Sequence, residues 1–475
     1  MPANNSGILN TAPEPGTQFA KRSILLIVGN LIKLAVQLAV IYVYSRNLAV
    51  PDYGRYQSVW LYINVFSVIS LFGLPAILLS ANQVDIRQWI NSNKKLFMSF
   101  VAGLLLLPVA WLLCINEQFD LQERLLLCSL LLLQNFSIIA ETISIKKEKE
   151  QRILVVNIFF NLLYLLAHFW VLRSGQYSLS VLLICLNILL VGKSLLLLPG
   201  RNKMTRDEKH IPSHSLGKQW LYLGMFDIVA VLFKWIDKWV ILIFISLSDF
   251  AIYFNGSYEI PVFVMLAGAV GNIVVVELSK SPSLHAATAV QLFRRSAIFL
   301  SSLIIPAFCF LFFYHREFFV FIFSDKYEAA VPVFFASIFM IPVRIINHTA
   351  ALQVYHKNNI IFRGAILDLL LAIILLAVLY PVAGLPGVAL AFVLSTYLQA
   401  GYYLHHTSAL LKIPVMRLQP FKIIGYISII SFMILLLCYF ICRDLNSFYR
   451  LGAGLLCAAL VSGSLFLFFY KKKFI

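Results

Sequence analysis

Long apolar runs alternate with short polar connections along almost the whole of this 475-residue chain. A helix that spans a bilayer needs about 20 mostly apolar residues, and the runs of that length predict about fourteen spanning helices. The first six cover approximately 23–44, 56–80, 96–115, 125–145, 153–172 and 179–198, and a second six cover 220–245, 252–278, 297–314, 329–355, 360–380 and 388–408. Two more, at 423–442 and 451–469, complete an all-α polytopic membrane protein.

The order of the spans predicts the domain organisation. We expect a disordered cytoplasmic tail, an N-terminal six-helix lobe, a charged cytoplasmic linker, a C-terminal six-helix lobe and two additional helices, at residues 1–20, 21–198, 199–219, 220–409 and 410–475. Because six is an even number, the two lobes share one orientation in the membrane. A pseudo-two-fold axis along the membrane normal would then relate them.

A short repeated motif supports two similar halves. Asp52–Tyr56 reads Asp-Tyr-Gly-Arg-Tyr and Asp249–Tyr253 reads Asp-Phe-Ala-Ile-Tyr, and each stands between two apolar runs. In both halves it lies at the turn from the first to the second helix. We interpret the aspartate as a helix cap and the aromatic residues as anchors at the membrane interface, in preference to a direct substrate role.

Composition agrees with a membrane protein and argues against nucleic-acid binding. Hydrophobic residues make up 61% of the chain and charged residues 12%, whereas soluble domains carry about 25% charged residues. The formal charge of +17 comes from Lys and Arg scattered between apolar runs, with no basic patch on a water-facing domain. About 25 of these cations fall in alternate connections against roughly eight in the others, which predicts that both termini are cytoplasmic.

Charged residues inside the seventh span are the strongest functional signal. Asp227, Lys234, Asp237 and Lys238 would together cost about 10 kcal/mol if they faced lipid. Their spacing places most of them along one helical face, which must meet a partner helix or a water-filled cavity. Ion pairs such as Asp227 with Lys234, or Asp237 with Lys33, would be a purely structural explanation. We favour a functional one.

Other spans carry similar polar stripes at helical spacing. They are Asn30, Lys33, Gln37 and Tyr44 in the first, Asn157, Asn161, Tyr164 and His168 in the fifth, and Arg344, Asn347, His348 and Tyr355 in the tenth. Glu259 and Asp368 add carboxylates at membrane depth, whereas Glu141 and Lys193 lie nearer the span ends, where they could simply pair. For the two histidines we expect hydrogen-bonded core positions. The number of polar groups in both halves predicts a shared hydrophilic cavity.

The chemistry of these side chains suits a phosphate-bearing saccharide. Lys and Arg bind phosphate, and amides and aromatic rings bind sugars. The predicted substrate-binding residues are Lys33, Lys234, Lys238, Arg344, Asn30, Gln37, Asn161 and Tyr164, and the predicted ion-coupling residues are Asp227, Asp237, Glu259 and Asp368. The sequence shows no zinc spacing and no phosphate-binding glycine-rich loop, so we predict neither a metal nor a cofactor.

Several segments resemble one family of transporters. Three segments are similar to bacterial oligosaccharide and polysaccharide flippases: the stretch from Asn30 through Arg46–Tyr56, then Gly73-Leu74-Pro75, and later Phe323–Ala330. These flippases belong to a superfamily that also contains multidrug extruders. Ile236-Asp237-Lys238 before Ser248–Tyr253 adds to the likeness, although Lys238 replaces the more frequent Arg and Ala251-Ile252 replaces Gly-x.

The resemblance implies two lobes around a central cavity, alternating access and coupling to an ion gradient. The implied substrate is an undecaprenyl-diphosphate-linked oligosaccharide, such as an O-antigen, capsule or exopolysaccharide unit, moved across the cytoplasmic membrane. We expect a monomer surrounded by membrane lipid, with a glycan polymerase or glycosyltransferases as candidate partners.

Two alternatives stay open. A multidrug or cation antiporter would share the architecture but should have an acidic, aromatic cavity. A membrane glycan polymerase or glycosyltransferase would normally need a sizeable extracytoplasmic loop, and the predicted outer loops are short. We therefore predict a transporter without enzymatic activity.

Overall fold

The computed structural model describes residues 15–472 apart from 81–82, 115–117, 148, 174–176, 199–215, 280–285 and 356. The predicted linker lies largely outside these residues, and residues 15–20 of the predicted tail begin the first helix. The first half of the chain forms α1 Pro15–Asn47, α2 Val50–Leu71, α3 Leu74–Ser80, α4 Gln83–Ser92, α5 Lys94–Cys114, α6 Leu121–Lys146, α7 Glu150–Arg173 and α8 Leu179–Leu197. The second half forms α9 Leu216–Phe244, α10 Leu247–Gly256, α11 Pro261–Ser279, α12 Ala286–Phe323, α13 Val331–Ile338, α14 Ala350–Val354, α15 Asn358–Leu411, α16 Val415–Leu418, α17 Phe421–Ile441 and α18 Ser447–Lys471.

The all-α membrane fold predicted from the sequence is confirmed. Nine helical segments in the described part of the chain are long and apolar enough to cross a membrane, and α10 with α11 forms a tenth if this bent pair is one span. The first, second and seventh predicted spans lie in α1, in α2 with α3, and in α9, which are not among these segments, and the other predicted spans coincide with them. The helices α5, α6, α7, α8, α17 and α18 are single, uninterrupted spans.

Three of the predicted spans are interrupted. The second breaks between α2 and α3, where Phe72 and Gly73 have positive φ values of 40° and 72°. The eighth bends by 48° between α10 and α11. The tenth consists of α13 and α14 separated by a short 3-10 helix at Pro342–Ile345. Hydrophobicity alone cannot locate such breaks, because the broken helices are as apolar as the continuous ones.

Helix α15 is a hairpin of two spans. A straight helix of its length, 54 residues, would be about 81 Å long, far more than a bilayer is thick. It turns at Gly384, whose φ is 60°, and a Cβ atom at Gly387 would lie only 2.2 Å from Leu379 O. Beyond the turn the two arms pack side by side, with Tyr403 Oη donating to Ile361 O at 2.8 Å. The eleventh and twelfth predicted spans are these two arms.

The repeated motifs contact each other. Gly54 of the first copy packs on α10, where a Cβ atom at Gly54 would lie 2.4 Å from Leu247 O and 3.3 Å from Ala251 Cβ. Gly54 and Ala251 occupy equivalent positions in the two copies. Beside them Gln57 Nε2 donates to Asn255 Oδ1 at 2.6 Å.

The aromatic residues of the motif differ from our expectation. Tyr53, Tyr56, Phe250 and Tyr253 are all at least 95% buried within the protein, so the interpretation as interface anchors was wrong. The aspartate is not the cap either, because Asp249 lies in the first turn of α10 and the residue before the helix takes that role. Ser246 is the N-cap of α10, where its hydroxyl accepts from Asp249 N at 3.1 Å and donates to the Asp249 carboxylate at 2.7 Å.

Helix α4 was not anticipated. It is too short to cross a membrane, and its apolar residues Ile86, Trp89 and Ile90 follow helical spacing. They pack in an aromatic cluster with Phe72, Phe97 and Trp220, in which the Trp89 and Trp220 ring centroids are 5.5 Å apart. Polar residues in the same segment lower its mean hydropathy, so the sequence pattern of this short surface helix resembles that of a loop.

Residue contacts divide the chain into two compact units. The first comprises Met1–Asn47 and Tyr62–Ile228, and the second comprises Leu48–Leu61 and Val229–Ile475. The division passes through α2 and α9. In the first unit α6 packs on α8 and α1 packs on α7, and in the second α12 packs on α17 and α18. The lobe boundaries drawn from the sequence stay a prediction.

Candidate functional site

In the first unit, four helices contribute to one polar cluster. Lys193 of α8 pairs with Glu141 of α6 at 3.1 Å, and Asn157 of α7 donates to the other oxygen of the same carboxylate at 3.2 Å. Lys193 Nζ also lies 5.0 Å from the Phe160 ring centroid. Lys33 of α1 lies near enough to this pair for both charges to act on it. Glu141 is thus a partly buried carboxylate whose partners are an ammonium group and an amide.

The predicted substrate-binding residues of this unit have different environments. Lys33 and Gln37 are exposed on α1, and Asn161 is 7% exposed on α7. Tyr164 packs on His168 with ring centroids 4.1 Å apart. Asn30 lies in α1. Of these predicted substrate-binding residues, Lys33 is the one that lies near the pair of Lys193 and Glu141.

The histidine prediction for α7 is confirmed. His168 is 1% exposed, and its Nδ1 lies 2.8 Å from Tyr164 O. Tyr44 Oη donates to the His168 carbonyl at 3.3 Å, and the two rings are 5.1 Å apart. This histidine therefore helps to join α1 to α7 through packing and hydrogen bonds.

In the second unit, Asp237 is the centre of a compact charged group. It is 4% exposed, and its Oδ2 accepts from Tyr253 Oη at 2.8 Å and from Lys238 Nζ at 3.0 Å. Its Oδ1 is buried and has no hydrogen-bond partner among the described residues. The ion pair therefore joins Asp237 to its neighbour in the sequence, and no lysine of another helix is needed to explain its burial.

One aromatic ring, that of Trp235, lies within 6 Å of both lysine ammonium groups of α9. The distance from the Trp235 ring centroid is 5.4 Å to Lys234 Nζ and 5.7 Å to Lys238 Nζ. On α10, Phe254 stacks on the same tryptophan at 6.1 Å. Lys234 is exposed whereas the Lys238 side chain is 13% exposed, so the first cation is accessible and the second is held by Asp237. Two cations around an indole make a surface suited to a sugar attached to a phosphate.

Two helix breaks meet in a second ion pair. Arg344 lies in the 3-10 helix that interrupts the tenth span, and Glu259 lies between α10 and α11. Their side chains form a salt bridge and are 27% and 45% exposed. Next to Arg344, His348 Nε2 lies 3.0 Å from Val343 O, whereas its buried Nδ1 has no hydrogen-bond partner in the described part of the chain. Interrupted helices expose backbone groups that commonly bind substrates and ions in transporters.

Asp368 is buried in the α15 hairpin. It is 1% exposed, and no described residue forms a hydrogen bond with its Oδ1. Ser395 of the opposite arm lies near it, and the Ser395 hydroxyl donates to Phe392 O at 3.0 Å. Phe392, one turn before Ser395, packs on Phe233, one turn before Asp237, with ring centroids 5.9 Å apart. The second arm of α15 and helix α9 are therefore neighbours at this level.

Asp227 stands apart from the other predicted ion-coupling residues. It belongs to the first unit and is partly exposed on α9, whereas Asp237, Glu259 and Asp368 belong to the second. Among the residues that the structure describes, no three His, Cys, Asp or Glu side chains meet as metal ligands.

Sequence reasoning missed several members of these groups. For Glu141 and Lys193 the sequence allowed a pair, and the structure shows one, but the contribution of Asn157 to it was not expected. Tyr253 was predicted at the membrane interface, whereas it is buried and donates to Asp237. A buried tyrosine and an interfacial tyrosine have the same sequence pattern, so only the fold distinguishes them.

Solved structures with a similar fold include two membrane transporters. A lipid II flippase, MurJ, in an inward closed conformation matches with a TM-score of 0.65 and 16% identity over 96% of this chain and 100% of that chain. A multidrug resistance MATE family transporter of the MOP superfamily, in an inward-facing conformation, matches with a TM-score of 0.54 and 14% identity over 83% and 99%. The chain has the fold of these transporters. No family model and no curated protein matches the sequence.

Proposed function

We propose that this protein is a flippase that moves an undecaprenyl-diphosphate-linked oligosaccharide across the bacterial cytoplasmic membrane. The observation that carries the proposal is the arrangement of Lys234, Trp235 and Lys238 on a membrane helix. A diphosphate requires cations and a saccharide requires flat apolar surfaces with polar neighbours. The isoprenoid tail would stay in the bilayer. The likeness to a lipid II flippase over nearly the whole chain supports the same class of substrate.

Alternating access accounts for the broken helices. Short helical segments joined by irregular backbone can tilt separately, and Arg344 and Glu259 stand at two such breaks in one unit. A diphosphate would compete with Glu259 for Arg344, because both are anions. Exchange of one anion for the other would link substrate binding to the positions of α11 and α14. In the first unit Lys33 would be a second cation for the diphosphate, in the neighbourhood of the pair formed by Lys193 and Glu141.

Coupling to an ion gradient would use Asp237 and Asp368. Each is buried and keeps one carboxylate oxygen to which no described residue donates a hydrogen bond. An unpaired buried oxygen is costly unless a proton or a cation occupies it during the cycle. Charge compensation by an entering ion would therefore favour the conformation in which both sites are occupied. Glu259 would contribute indirectly, through its pair with Arg344.

Complementation provides the direct test. A strain that lacks its polysaccharide flippase should regain surface glycan when it expresses this chain, and Lys234→Ala should abolish that recovery at normal protein level. Arg417→Ala is the matched control, because Arg417 is an exposed cation outside the group. Full recovery with Lys234→Ala and Arg344→Ala together would exclude the cation site. Since donor sugars differ between strains, several flippase-deficient hosts are needed.

The multidrug transporter in the comparison supports a second candidate function, export of organic cations. The exposed Lys234 disfavours it, because a fixed positive charge repels a cationic drug. Ethidium efflux from cells that lack their own exporters separates the two functions. Efflux without glycan complementation would establish the drug transporter and exclude the flippase.

A further inference from the structure

A cavity of about 310 Å³ opens beside α4 in the first unit. Three cations line it, Arg87 of α4 and Lys146 and Lys147 at the end of α6, and no carboxylate is among its described lining residues. Its remaining walls are chiefly aliphatic and include Ile86 and Ile143. Cations above an aliphatic wall are complementary to a molecule with an anionic head and apolar chains.

The position of the cavity agrees with this chemistry. Lys146 and Leu78 lie where the fourth and second predicted spans end, and at the end of a span we expect the phospholipid phosphates. Lys146 Nζ donates to Leu78 O at 2.8 Å, and this contact fixes the floor of the cavity between α3 and α6. The distribution of Lys and Arg predicts that this end faces the cytoplasm, where the anionic lipids of the inner leaflet lie.

Helix α4 holds the third cation in place. Its apolar side packs into the cluster around Trp220, so the helix is fixed to the protein and Arg87, on its exposed side, borders the cavity. A volume near the lower limit for small-molecule pockets accommodates a phosphate head and the first methylenes of its chains. The rest of each chain would continue into the bilayer.

We propose that this cavity, formed by Arg87, Lys146, Lys147 and the neighbouring isoleucines, binds the phosphodiester head of an acidic phospholipid from the cytoplasmic leaflet. The proposal is independent of the transported substrate, since every described lining residue belongs to the first unit and none belongs to the groups around Asp237 or Arg344. A bound lipid would tie α4 to the ends of α3 and α6.

The test measures binding rather than transport. Full-length protein in detergent is titrated with phosphatidylglycerol or phosphatidylcholine, and bound lipid is counted by native mass spectrometry together with the shift in melting temperature. Phosphatidylglycerol should bind at least tenfold more tightly than phosphatidylcholine, and high salt should weaken the preference. The double variant Arg87→Gln with Lys147→Gln should lose most of the preference for phosphatidylglycerol over phosphatidylcholine. Lys94→Gln with Lys95→Gln is the control, because it removes the same charge from exposed residues just beyond α4.

Ile143→Phe provides an independent variant, since it fills the aliphatic wall and keeps all three cations. It should weaken lipid binding too. If the control Lys94→Gln with Lys95→Gln loses as much phosphatidylglycerol binding as Arg87→Gln with Lys147→Gln, the preference comes from general surface charge and the proposal is overturned. If inorganic phosphate alone raises the melting temperature as much as phosphatidylglycerol does, the cavity is a site for a soluble anion. Displacement of phosphatidylglycerol by equimolar undecaprenyl diphosphate would assign it to the transported lipid, and either result would reject a phospholipid site.

Discussion

Gly54 lies against Ala251, its counterpart in the repeated motif, and the absence of a side chain at Gly54 allows α2 and α10 to approach closely. A Cβ atom at Gly54 would lie 2.4 Å from Leu247 O, and backbone cannot move as a flexible side chain does. Small residues permit such close helix crossings in membranes. The motif is therefore a packing element as well as a marker of the repeat.

Gly54→Ala should destabilise the protein by about 1–3 kcal/mol, as overpacking of a tight contact does. The melting temperature of purified protein and the yield of monodisperse protein measure this. Gly401→Ala is the control, because no atom of the described residues lies within 4 Å of the equivalent Cβ position on α15. Equal stability of the Gly54→Ala and Gly401→Ala variants would contradict the close crossing.

The partly buried pair Lys193–Glu141 should contribute more to stability than the exposed pair Arg316–Glu328. The first two side chains are 14% and 29% exposed and the second two 67% and 49%. Exposed pairs contribute about 0–1 kcal/mol, whereas loss of one partner from a buried pair costs about 3–5 kcal/mol. We expect Lys193→Ala to lower the free energy of unfolding by an amount between these two ranges, about 1–3 kcal/mol. We expect Arg316→Ala to change the melting temperature little.

The sequence predicted the helices better than their contacts. Runs of apolar residues located the helices, and the cost of a charge in lipid directed attention to Asp237 and Lys238, which form an ion pair. Helix α4 and the break at Gly73 were missed, because both depend on tertiary packing. Gly73 has a positive φ where the backbone of α9 approaches, since a Cβ atom there would lie 2.6 Å from Gly224 N. No pattern of hydrophobicity encodes such an approach.

The pairing of charges was also beyond the sequence. Helical spacing places Asp227, Lys234 and Lys238 on one face, but it does not reveal that Tyr253 donates to Asp237 or that Ser395 lies near Asp368. Those partners lie on other helices or on the opposite arm of the α15 hairpin. Only the fold brings them close together.

Tyr253→Phe should impair transport more than it impairs folding. The substitution keeps the ring and removes only the hydroxyl that donates to Asp237 at 2.8 Å. A hydrogen bond to a charged group contributes about 1.5–3 kcal/mol, and its loss leaves Lys238 as the remaining described partner of the carboxylate. We expect reduced glycan export with a change in melting temperature of a few degrees. Normal export would show that this hydrogen bond has no part in coupling.

Asp237→Asn and Asp368→Asn should each uncouple transport from the ion gradient. The amide keeps the size of the side chain but does not exchange a proton and binds a cation more weakly. In proteoliposomes that contain a fluorescent lipid-linked saccharide, imposed proton and sodium gradients should accelerate transfer by the wild-type protein and leave both variants unaffected. Asp325→Asn serves as the control, because Asp325 is an exposed carboxylate at the start of a 3-10 helix. Acceleration of both variants by the same gradient would exclude these carboxylates from coupling.

Arg344 and Glu259 allow structural and substrate roles to be separated by a double-mutant cycle. If the ion pair only joins two helix breaks, Arg344→Ala and Glu259→Ala should each lower the melting temperature. The double variant should then be more stable than the sum of the two single destabilisations predicts. Removal of both charges avoids leaving one without its partner. If Arg344 also binds the diphosphate, the double variant should recover stability but not glycan export, whereas Glu259→Ala alone should retain partial export. Recovery of export in the double variant would assign the pair a purely structural role.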